Sequence, residues 1–429
     1  MTIDLAAGAV DVVPDGPSGP NRPRKSDFHR FWIAGAVDAL GSHAATVVVP
    51  LVVLAAGGSV TLAGGLATAA IATETLVEPV AGVLADRVDR RRLLIAAAGL
   101  AAVAAGLLAL LVSRGGYRLG PVIALVLVES VATSTYGAAA SAAIRQLLAD
   151  EDLQPALATM QARDQGAAMA GPPVGGLLFG LTRWAPFLLD AVSYVLAAVL
   201  VAGIRTDLRP RREEREHESW RASAGAGIRL VFGHRFLRFA VLWGAGVNAV
   251  FATLYFAVLL SGAGQLPAAE LGLVLAIASG LGLVGSLVAP RVLALMAPSR
   301  LIALTSWVLV AVVAAMGAVH SSYGAGALLG VALLVSPAVS ILFQSYSIAA
   351  VPVELQGRAG AVMGVFLGAS QLIAPVTAGL LVPRLHWWVI TTALAGLLAA
   401  LAGYARRGAR ALHDVRTAIA AGPDTTEEI

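Results

Sequence analysis

Residues 82–92 read GVLADRVDRRR and place six charged side chains at the end of a mostly apolar run. A second apolar run follows at once, because the next charged residue after Arg92 is Arg114. A charge cluster between two apolar runs of helical length is typical of a boundary between water and a lipid bilayer. We therefore interpret residues 82–92 as a short polar loop between two membrane-spanning helices.

The composition of the whole chain indicates a membrane protein. Of its 429 residues, 58% are hydrophobic and 13% are charged, and the mean hydropathy is +0.80. A soluble domain of ordinary composition is far less apolar. Because about 20 helical residues cross a bilayer core of about 30 Å, we expect about twelve membrane-spanning helices. They lie near residues 31–56, 61–85, 93–113, 121–143, 156–182, 185–204, 237–261, 269–290, 301–320, 324–350, 359–383 and 387–405.

The longest polar segment between predicted spans divides them into two sets of six. A faint internal repeat supports two similar halves, because GSLVAPR at 285–291 follows the eighth span as GVLADRV at 82–88 follows the second. We predict an all-α membrane protein with two pseudo-symmetric six-helix bundles. Its regions are a disordered cytoplasmic arm at 1–30, a first bundle at 31–204, a cytoplasmic linker at 205–236, a second bundle at 237–405 and a cytoplasmic tail at 406–429.

The positive charges sort to one side of the membrane in this arrangement. Four of the 30 lysine and arginine residues fall on the side opposite the termini, namely Arg114, Arg118, Arg183 and Arg384. Positive charge is retained on the cytoplasmic side of a membrane protein. We therefore predict a multi-pass protein of the cell membrane with both termini in the cytoplasm.

Two short motifs resemble signatures of the major facilitator superfamily of transporters. The loop at 82–92 resembles the family's Gly, three residues, Asp-Arg, one residue, Gly and basic residues, with Asp89 in place of the second glycine. The segment GPPVGG at 171–176 resembles the antiporter signature Gly-Pro-x-x-Gly-Gly of its exporters. Four further stretches are similar in sequence to the branch of the family with macrolide efflux pumps and enterobactin exporters, at residues 40–54, 144–158, 188–198 and 354–362.

The resemblance covers about residues 28 to 405 and implies two sets of conformational residues. A latch that steadies one state against the opposite half would consist of Gly82, Asp86, Arg87, Arg90 and Arg91. An antiporter motif with a role in gating would consist of Gly171, Pro172, Gly175 and Gly176. From the residues alone, the arginines are equally explained as a membrane anchor and the glycines as a site of close helix packing.

Carboxylates inside the predicted spans indicate a transport pathway or a proton relay, because a charge in hydrocarbon is costly. We predict that Glu129 in the fourth span carries the coupling proton, with Asp38, Glu74 and Glu78 as further proton-coupling candidates. Glu74 and Glu78 are four residues apart and share one helix face. Structural hydrogen bonds would explain each of them as well, and we interpret Asp190 in the sixth span as structural.

The predicted substrate contacts lie in the second half. The family resemblance implies that the first, fourth, seventh and tenth spans line the cavity, and the substrate-binding candidates are Asn248, Tyr255, Gln344 and Tyr346. Many proton-coupled exporters of the family carry an arginine in the fourth span, whereas this fourth span has none before Arg145. We assign the adjacent Arg163 and Asp164 to the latch.

These patterns favour one class of function. The seven histidines form no metal-binding or catalytic spacing, and no phosphate-binding Gly-rich Lys loop occurs, so we expect neither an enzyme nor a cofactor. The predicted function is secondary active transport, as a proton-coupled exporter (antiporter) of a lipophilic drug or small metabolite by alternating access, of the kind that gives multidrug resistance. The partners are the substrate, protons and lipid; we expect a monomer that binds no nucleic acid. An importer of a small organic solute stays open, because only GPPVGG argues against it.

Overall fold

The computed structural model describes residues 25–115, 118–148, 150–209, 220–263, 265–319, 321–351 and 353–421. These residues form fourteen α-helices, and no β-strand occurs among them. The first half contains α1 (Lys25–Ala55), α2 (Val60–Ala85), α3 (Arg90–Ser113), α4 (Leu119–Leu147), α5 (Asp150–Leu181) and α6 (Ala185–Ala202). The second half contains α7 (Trp220–Gly233), α8 (Arg235–Ala263), α9 (Ala268–Leu295), α10 (Pro298–Met316), α11 (Ser322–Ala349), α12 (Val353–Leu372), α13 (Ala374–Leu381) and α14 (Trp387–Ala421).

The predicted number of spans agrees with these helices. Eleven segments of the described residues are long and apolar enough to cross a membrane, with α12 and α13 sharing one of them. The predicted span at 156–182 corresponds to α5, a 32-residue helix that packs against α1 and α9. It carries Arg163 and Asp164 near its middle and is therefore less apolar than the other eleven. We count α5 as the twelfth span.

The helix boundaries differ from the predicted ones most at the two ends of the chain, in the linker and in the span at 359–383. The first helix begins at Lys25 and the last continues to Ala421, while the proposed arm up to residue 24 and the tail beyond 421 lie outside the described residues. The predicted linker contains α7. The predicted span at 359–383 is two helices, interrupted at Ile373, because Pro375 lacks a backbone N–H and its ring crowds the preceding turn.

The two halves repeat one pattern of helix contacts. In the first half α3 packs on α4 and α6, α2 packs on α4, and α1 packs on α5 and α6. In the second half α10 packs on α11 and α14, α9 packs on α11, and α8 packs on α12, α13 and α14. Two equivalent contacts then join the halves, α5 with α9 and α2 with α13. The described residues thus form two pseudo-symmetric six-helix bundles, as the sequence predicts.

The halves meet at one end of the molecule. We call the end where α1 begins and α14 finishes the terminal end, and the opposite end the distal end. One apolar cluster at the distal end contains residues of both halves, such as Val52, Phe179, Phe256, Leu275 and Ala378. At the terminal end each half has its own cluster. The bundle is therefore closed at the distal end, while its halves form separate cores at the terminal end.

Hydrogen bonds across the distal seam have a local cause. The interruption at Ile373 leaves the first N–H groups of α13 without partners inside the helix. The Val376 N–H donates to Thr68 Oγ1 of α2 at 3.0 Å. In return, Thr61 Oγ1 donates to the Gly379 carbonyl at 2.9 Å. The break that proline imposes therefore provides polar contacts between the halves.

The start of α8 depends on a neutral histidine. The Leu237 N–H donates to His234 Nδ1 at 3.4 Å, so the imidazole takes the place of a capping side chain. Burial lowers the pKa of His234, which favours the uncharged ring that this contact requires.

Candidate functional site

The loop at 82–92 is fastened to its own helices. The Asp89 carboxylate caps α3 by accepting the Arg91 N–H at 3.0 Å. Arg90 is only 3% exposed, and its Nη2 lies 3.7 Å from Asp86 Oδ1. Its Nε donates to the Ala85 carbonyl at 3.3 Å. The arginine-rich loop is therefore an ordered turn with one buried guanidinium, which a simple membrane anchor does not require.

The same loop binds the beginning of the linker. Arg91 Nη2 donates to the Thr206 carbonyl at 2.7 Å. From α1, Asp27 Oδ2 accepts the N–H groups of Arg205 and Thr206 at 2.9 and 2.8 Å, together with the Thr206 hydroxyl at 2.8 Å. The first residues of the linker are thus part of the first half.

The contacts of the predicted latch that are described above lie within the first half. Arg87 and Asp86 are exposed, and a side chain added at Gly82 would meet nothing within 4 Å. The terminal ends of the two halves have separate cores in this conformation. A latch of Gly82, Asp86, Arg87, Arg90 and Arg91 stays a prediction about another conformation.

The GPPVGG segment lies at two close helix contacts. A Cβ at Gly171 would lie 2.8 Å from the His43 carbonyl carbon, and one at Gly175 would lie 2.9 Å from that of Ala44. Gly176 lies against Gly272 of α9, where a Cβ would come within 3.0 Å of it. In a membrane, small residues let backbones approach and so stabilise helix pairs. The motif holds α5 between α1 and α9, beside the buried Pro172, and its gating role stays a prediction.

A polar cluster lies between the helices of the first half. The Glu129 carboxyl of α4 and the Asp190 carboxyl of α6 interact with each other. Asp190 is 0% exposed, and its Oδ2 has no partner at normal hydrogen-bond geometry among the described residues. Ser193 Oγ donates to the Asp190 carbonyl at 2.7 Å and lies 3.5 Å from Oδ1. Glu129 and Asp190 are therefore one carboxyl pair.

Tyr194 joins three helices beside this pair. Its hydroxyl lies 2.9 Å from Ser42 Oγ of α1 and 2.9 Å from Thr133 Oγ1 of α4. The tyrosine is 0% exposed and interacts electrostatically with Asp190 and Glu129. The three hydroxyls fix the spacing of α1, α4 and α6 around the carboxyl pair.

The other predicted coupling residues separate into two groups. Glu74 of α2 is half-buried, and its carboxyl interacts with Ser130 and electrostatically with Glu129. Ser134 Oγ also donates to the Glu74 backbone carbonyl at 2.8 Å. Glu78, one turn further along α2, is exposed. The structure therefore brings Glu74 to the carboxyl pair and leaves Glu78 apart.

Asp38 interacts with a cation, Arg163 of α5, whereas the fourth span has no such arginine. The half-buried Asp38 interacts electrostatically with Arg163 and Asp164 of α5. Arg163 is paired with its neighbour, through Nη2 at 2.7 Å and Nε at 2.8 Å from Asp164 Oδ1. The assignment of Arg163 and Asp164 to the latch stays a prediction, and in the structure both interact electrostatically with Asp38.

The four predicted substrate residues lie on α8 and α11 of the second half. Asn248 and Tyr255 lie two turns apart on α8, and both are half-buried. On α11, Gln344 is exposed, while the Tyr346 ring packs 5.9 Å from the Phe236 ring within an apolar cluster. Tyr346 contacts the core of the second half. The substrate role of all four residues, Asn248, Tyr255, Gln344 and Tyr346, stays a prediction.

Sequence reasoning missed part of the polar cluster although a signal was present. Three spans each carry a carboxylate and, four residues later, a hydroxyl: Asp38 with Ser42, Glu129 with Thr133 and Asp190 with Tyr194. Residues four apart share a helix face, so the repeated spacing marks the faces that meet. Among the described residues no group of three or more histidines, aspartates and glutamates is placed to hold a metal ion.

The sequence family decides what kind of protein this is. The family model described as Major Facilitator Superfamily matches residues 31–347. The chain belongs to the major facilitator superfamily. Members of this superfamily are transporters rather than enzymes, so the protein is a membrane transporter for a small molecule.

Solved structures of this superfamily share the fold. A mutant of the nucleoside transporter NupG has a TM-score of 0.68 at 11% identity, with 89% of this chain and 99% of that chain covered. A bacterial homologue of the iron transporter ferroportin in an inward-facing state has a TM-score of 0.66 at 16% identity, with 89% of this chain and 98% of that chain covered. A bacterial homologue of the lysosomal transporter Spinster, inward-facing and unoccupied, has a TM-score of 0.67 at 11% identity, with 93% of this chain and 99% of that chain covered. No curated protein sequence matched this chain.

Proposed function

We propose that this transporter is a proton-coupled exporter of lipophilic cations, a class that includes drugs and small metabolites. The observation that carries the proposal is the Glu129–Asp190 carboxyl pair, in which Asp190 is fully buried and Glu129 is half-buried. Two neighbouring carboxylates in a nonpolar interior repel each other, and the arrangement is stable when one of them holds a proton. The nearby cation Arg163 is already paired with Asp164. The pair is therefore suited to bind and release a proton.

The conformation supports loading from the terminal side. The halves share a core at the distal end and have separate cores at the terminal end. With both termini in the cytoplasm, as the arginine distribution predicts, the open side faces the cytoplasm, where an exporter takes up its substrate. Rocking of one half against the other would then present the carboxyl pair to the opposite side.

The charges of the spans favour a cationic substrate. Within α2 the ionisable side chains are Glu74 and Glu78, and within α4 the first is Glu129. Glu78 is exposed, and Glu74 and Glu129 are half-buried, so acidic groups extend from the surface to the carboxyl pair. A cation that neutralises these groups would compete with the proton, and this competition is the basis of exchange.

The decisive experiment replaces one carboxyl of the pair. Purified protein in liposomes, given a pH gradient and the fluorescent lipophilic cation ethidium, should concentrate ethidium in exchange for protons. Glu129→Gln keeps the side-chain shape but holds no exchangeable proton, so we expect uphill transport to fall at least about tenfold.

A matched control is Glu270→Gln, which changes an exposed carboxylate at the start of α9. It should transport at the unmodified rate. If Glu129→Gln transports equally well, Glu129 is not the coupling residue. Movement of substrate in the same direction as the protons would instead identify an importer.

A further inference from the structure

The Arg163 side chain reaches across to α1. Its Nη1 donates to the Trp32 carbonyl at 3.2 Å, and its guanidinium occupies the space that a Cβ at Gly35 would fill, 2.7 Å from the guanidinium carbon. Only a glycine leaves this seat open. The guanidinium therefore lies against α1 although it belongs to α5.

The seat adjoins the Asp38 carboxyl. Helical side chains point toward the N-terminus of their own helix, so a residue covers the turn before it. Asp38 follows Gly35 by three residues, and its side chain is directed toward the turn on which the guanidinium lies. The two groups interact electrostatically. Asp38 Oδ1 is buried and has no hydrogen-bond partner among the described residues.

Arg163 thus has two carboxylates within reach and is bonded to one of them. Asp164 is half-exposed and holds the guanidinium at 2.7 Å, whereas Asp38 lies deeper. We propose that Arg163 is a movable counter-charge, paired with Asp164 in this conformation and passed to Asp38 when the Asp38 carboxyl releases its proton. The proton leaves toward the open terminal side, and the net charge of the three groups falls from zero to minus one. Arg163 then neutralises Asp38, and the half-exposed Asp164 is left as an unpaired carboxylate that water can solvate.

This proposal rests on the proposed proton coupling. In it, Arg163 of α5 takes the role of the arginine that the fourth span lacks. The groups that interact with Asp38 are Arg163 and Asp164 from α5, Tyr136 from α4, and Asp190 and Tyr194 from α6. Of these only Arg163 is a cation. Its movement would convert proton release at Asp38 into a change of contact between α1 and α5.

A double-mutant cycle tests the exchange without any transport measurement. Purified Asp38→Asn, Asp164→Asn and the double variant are compared by thermal unfolding at pH 8. If Arg163 exchanges partners, each carboxylate substitutes for the other, so each single variant should lower the midpoint by no more than about 2 °C. The double variant should fall by clearly more than the sum, because the buried guanidinium then has no anion.

A fixed Arg163–Asp164 pair predicts a different pattern and would overturn the proposal. In that case Asp164→Asn carries the full loss, Asp38→Asn is neutral, and the double variant is additive. Because this measurement involves no substrate, it separates failure of the exchange from failure of proton coupling. Arg183→Gln, an exposed arginine just after α5, is the control and should leave the midpoint unchanged.

The pH profile of ethidium transport gives a second, independent readout. Asp164→Asn should keep Arg163 on Asp38 and move the profile about one pH unit or more toward acid, since a neighbouring cation favours the ionised carboxyl. Arg163→Gln should move it toward alkaline pH. Gly35→Ala keeps every charge but fills the guanidinium seat, and it should shift the profile in the direction of Arg163→Gln. An unshifted profile in all three variants would contradict the exchange.

Discussion

The two halves share one helix arrangement but differ in what fills their interiors. At the terminal end of the first half the cluster is rich in alanine, with members such as Ala34, Ala98, Ala139 and Ala197. The corresponding cluster of the second half contains the rings of Phe236, Phe239, Trp243 and Phe343. Small residues let helices approach closely, whereas aromatic rings fill the space between helices and hold them through specific ring contacts.

The polar groups follow the same division. The carboxyl pair, Tyr194, Asp38 and Arg163 all belong to the first half. The cluster around Phe343 is apolar apart from the edges of its tyrosine and tryptophan rings. One fold therefore carries a half suited to handling protons and a half suited to acting as a rigid body. The comparison predicts that stability and coupling respond to substitutions in different halves.

The largest expected effect on stability is in the second half. Phe343 packs against three rings, with centroids 5.2 Å from Trp243, 5.8 Å from Phe239 and 6.1 Å from Phe236. Phe343→Ala removes these contacts and leaves a cavity, so we expect a loss of about 3–5 kcal/mol in the free energy of unfolding. Denaturant titration in detergent measures it. The number of protons exchanged per substrate by the folded fraction should not change.

Phe366→Ala is the control for this substitution, because that ring is exposed and contacts only Phe232 among the ring pairs of the described residues. It should cost clearly less. A change of proton stoichiometry in Phe343→Ala would show that the second half takes part in coupling, and the comparison would fail.

An intermediate effect is expected at the seam that joins the halves. Thr61→Val removes the hydrogen bond to the Gly379 carbonyl, which contributes about 1 kcal/mol to the closed distal end. The population open at the distal end should rise about fivefold. The chain has no cysteine, so thiol labelling of Ala378→Cys, at a position only 1% exposed in the shared distal cluster, reports this opening directly.

Thr377→Val provides the comparison, because its hydroxyl donates to the Ile373 carbonyl of the neighbouring turn instead of to the other half. It should leave the labelling rate near that of the parent. Equal labelling of the Thr61 and Thr377 variants would mean that the seam does not set the resting conformation.

The smallest effect is expected at Glu78. The Glu78 side chain is exposed, whereas the Glu74 carboxyl interacts with Ser130 and with Glu129. We expect Glu78→Gln to change proton-driven ethidium transport by less than about twofold, and Glu74→Gln to change it more, because only buried carboxyls are forced to share protons. The initial rate of uphill transport measures both. An equal loss in the two variants would show that helix spacing, not burial, defines the coupling residues.

The sequence predicts the membrane class and the two six-helix bundles because both follow from apolar run length and charge placement. It does not predict the interruption at Ile373, since many spanning helices tolerate a proline, and the break depends on partners such as Thr68 across the seam. The sequence indicates one member of the carboxyl pair but not its partner. Glu129 stands out because apolar residues flank it, but its pairing with Asp190 depends on how α4 and α6 are rotated, and that rotation is a property of packing.

The contacts of Asp27 limit how far the two halves can move apart. They hold the chain against the first half up to about Thr206. The ion pair between Arg209 Nε and Asp89 Oδ2, at 4.0 Å, holds the chain there up to residue 209. On the other side α7, beginning at Trp220, packs on α8 and α12. Eleven Cα-to-Cα steps separate these two anchor points, and an extended chain covers at most about 3.6 Å per step. The protein therefore contains its own tether of about 40 Å at most, which sets an upper bound on the width of the terminal opening and on the size of a substrate that enters beside it.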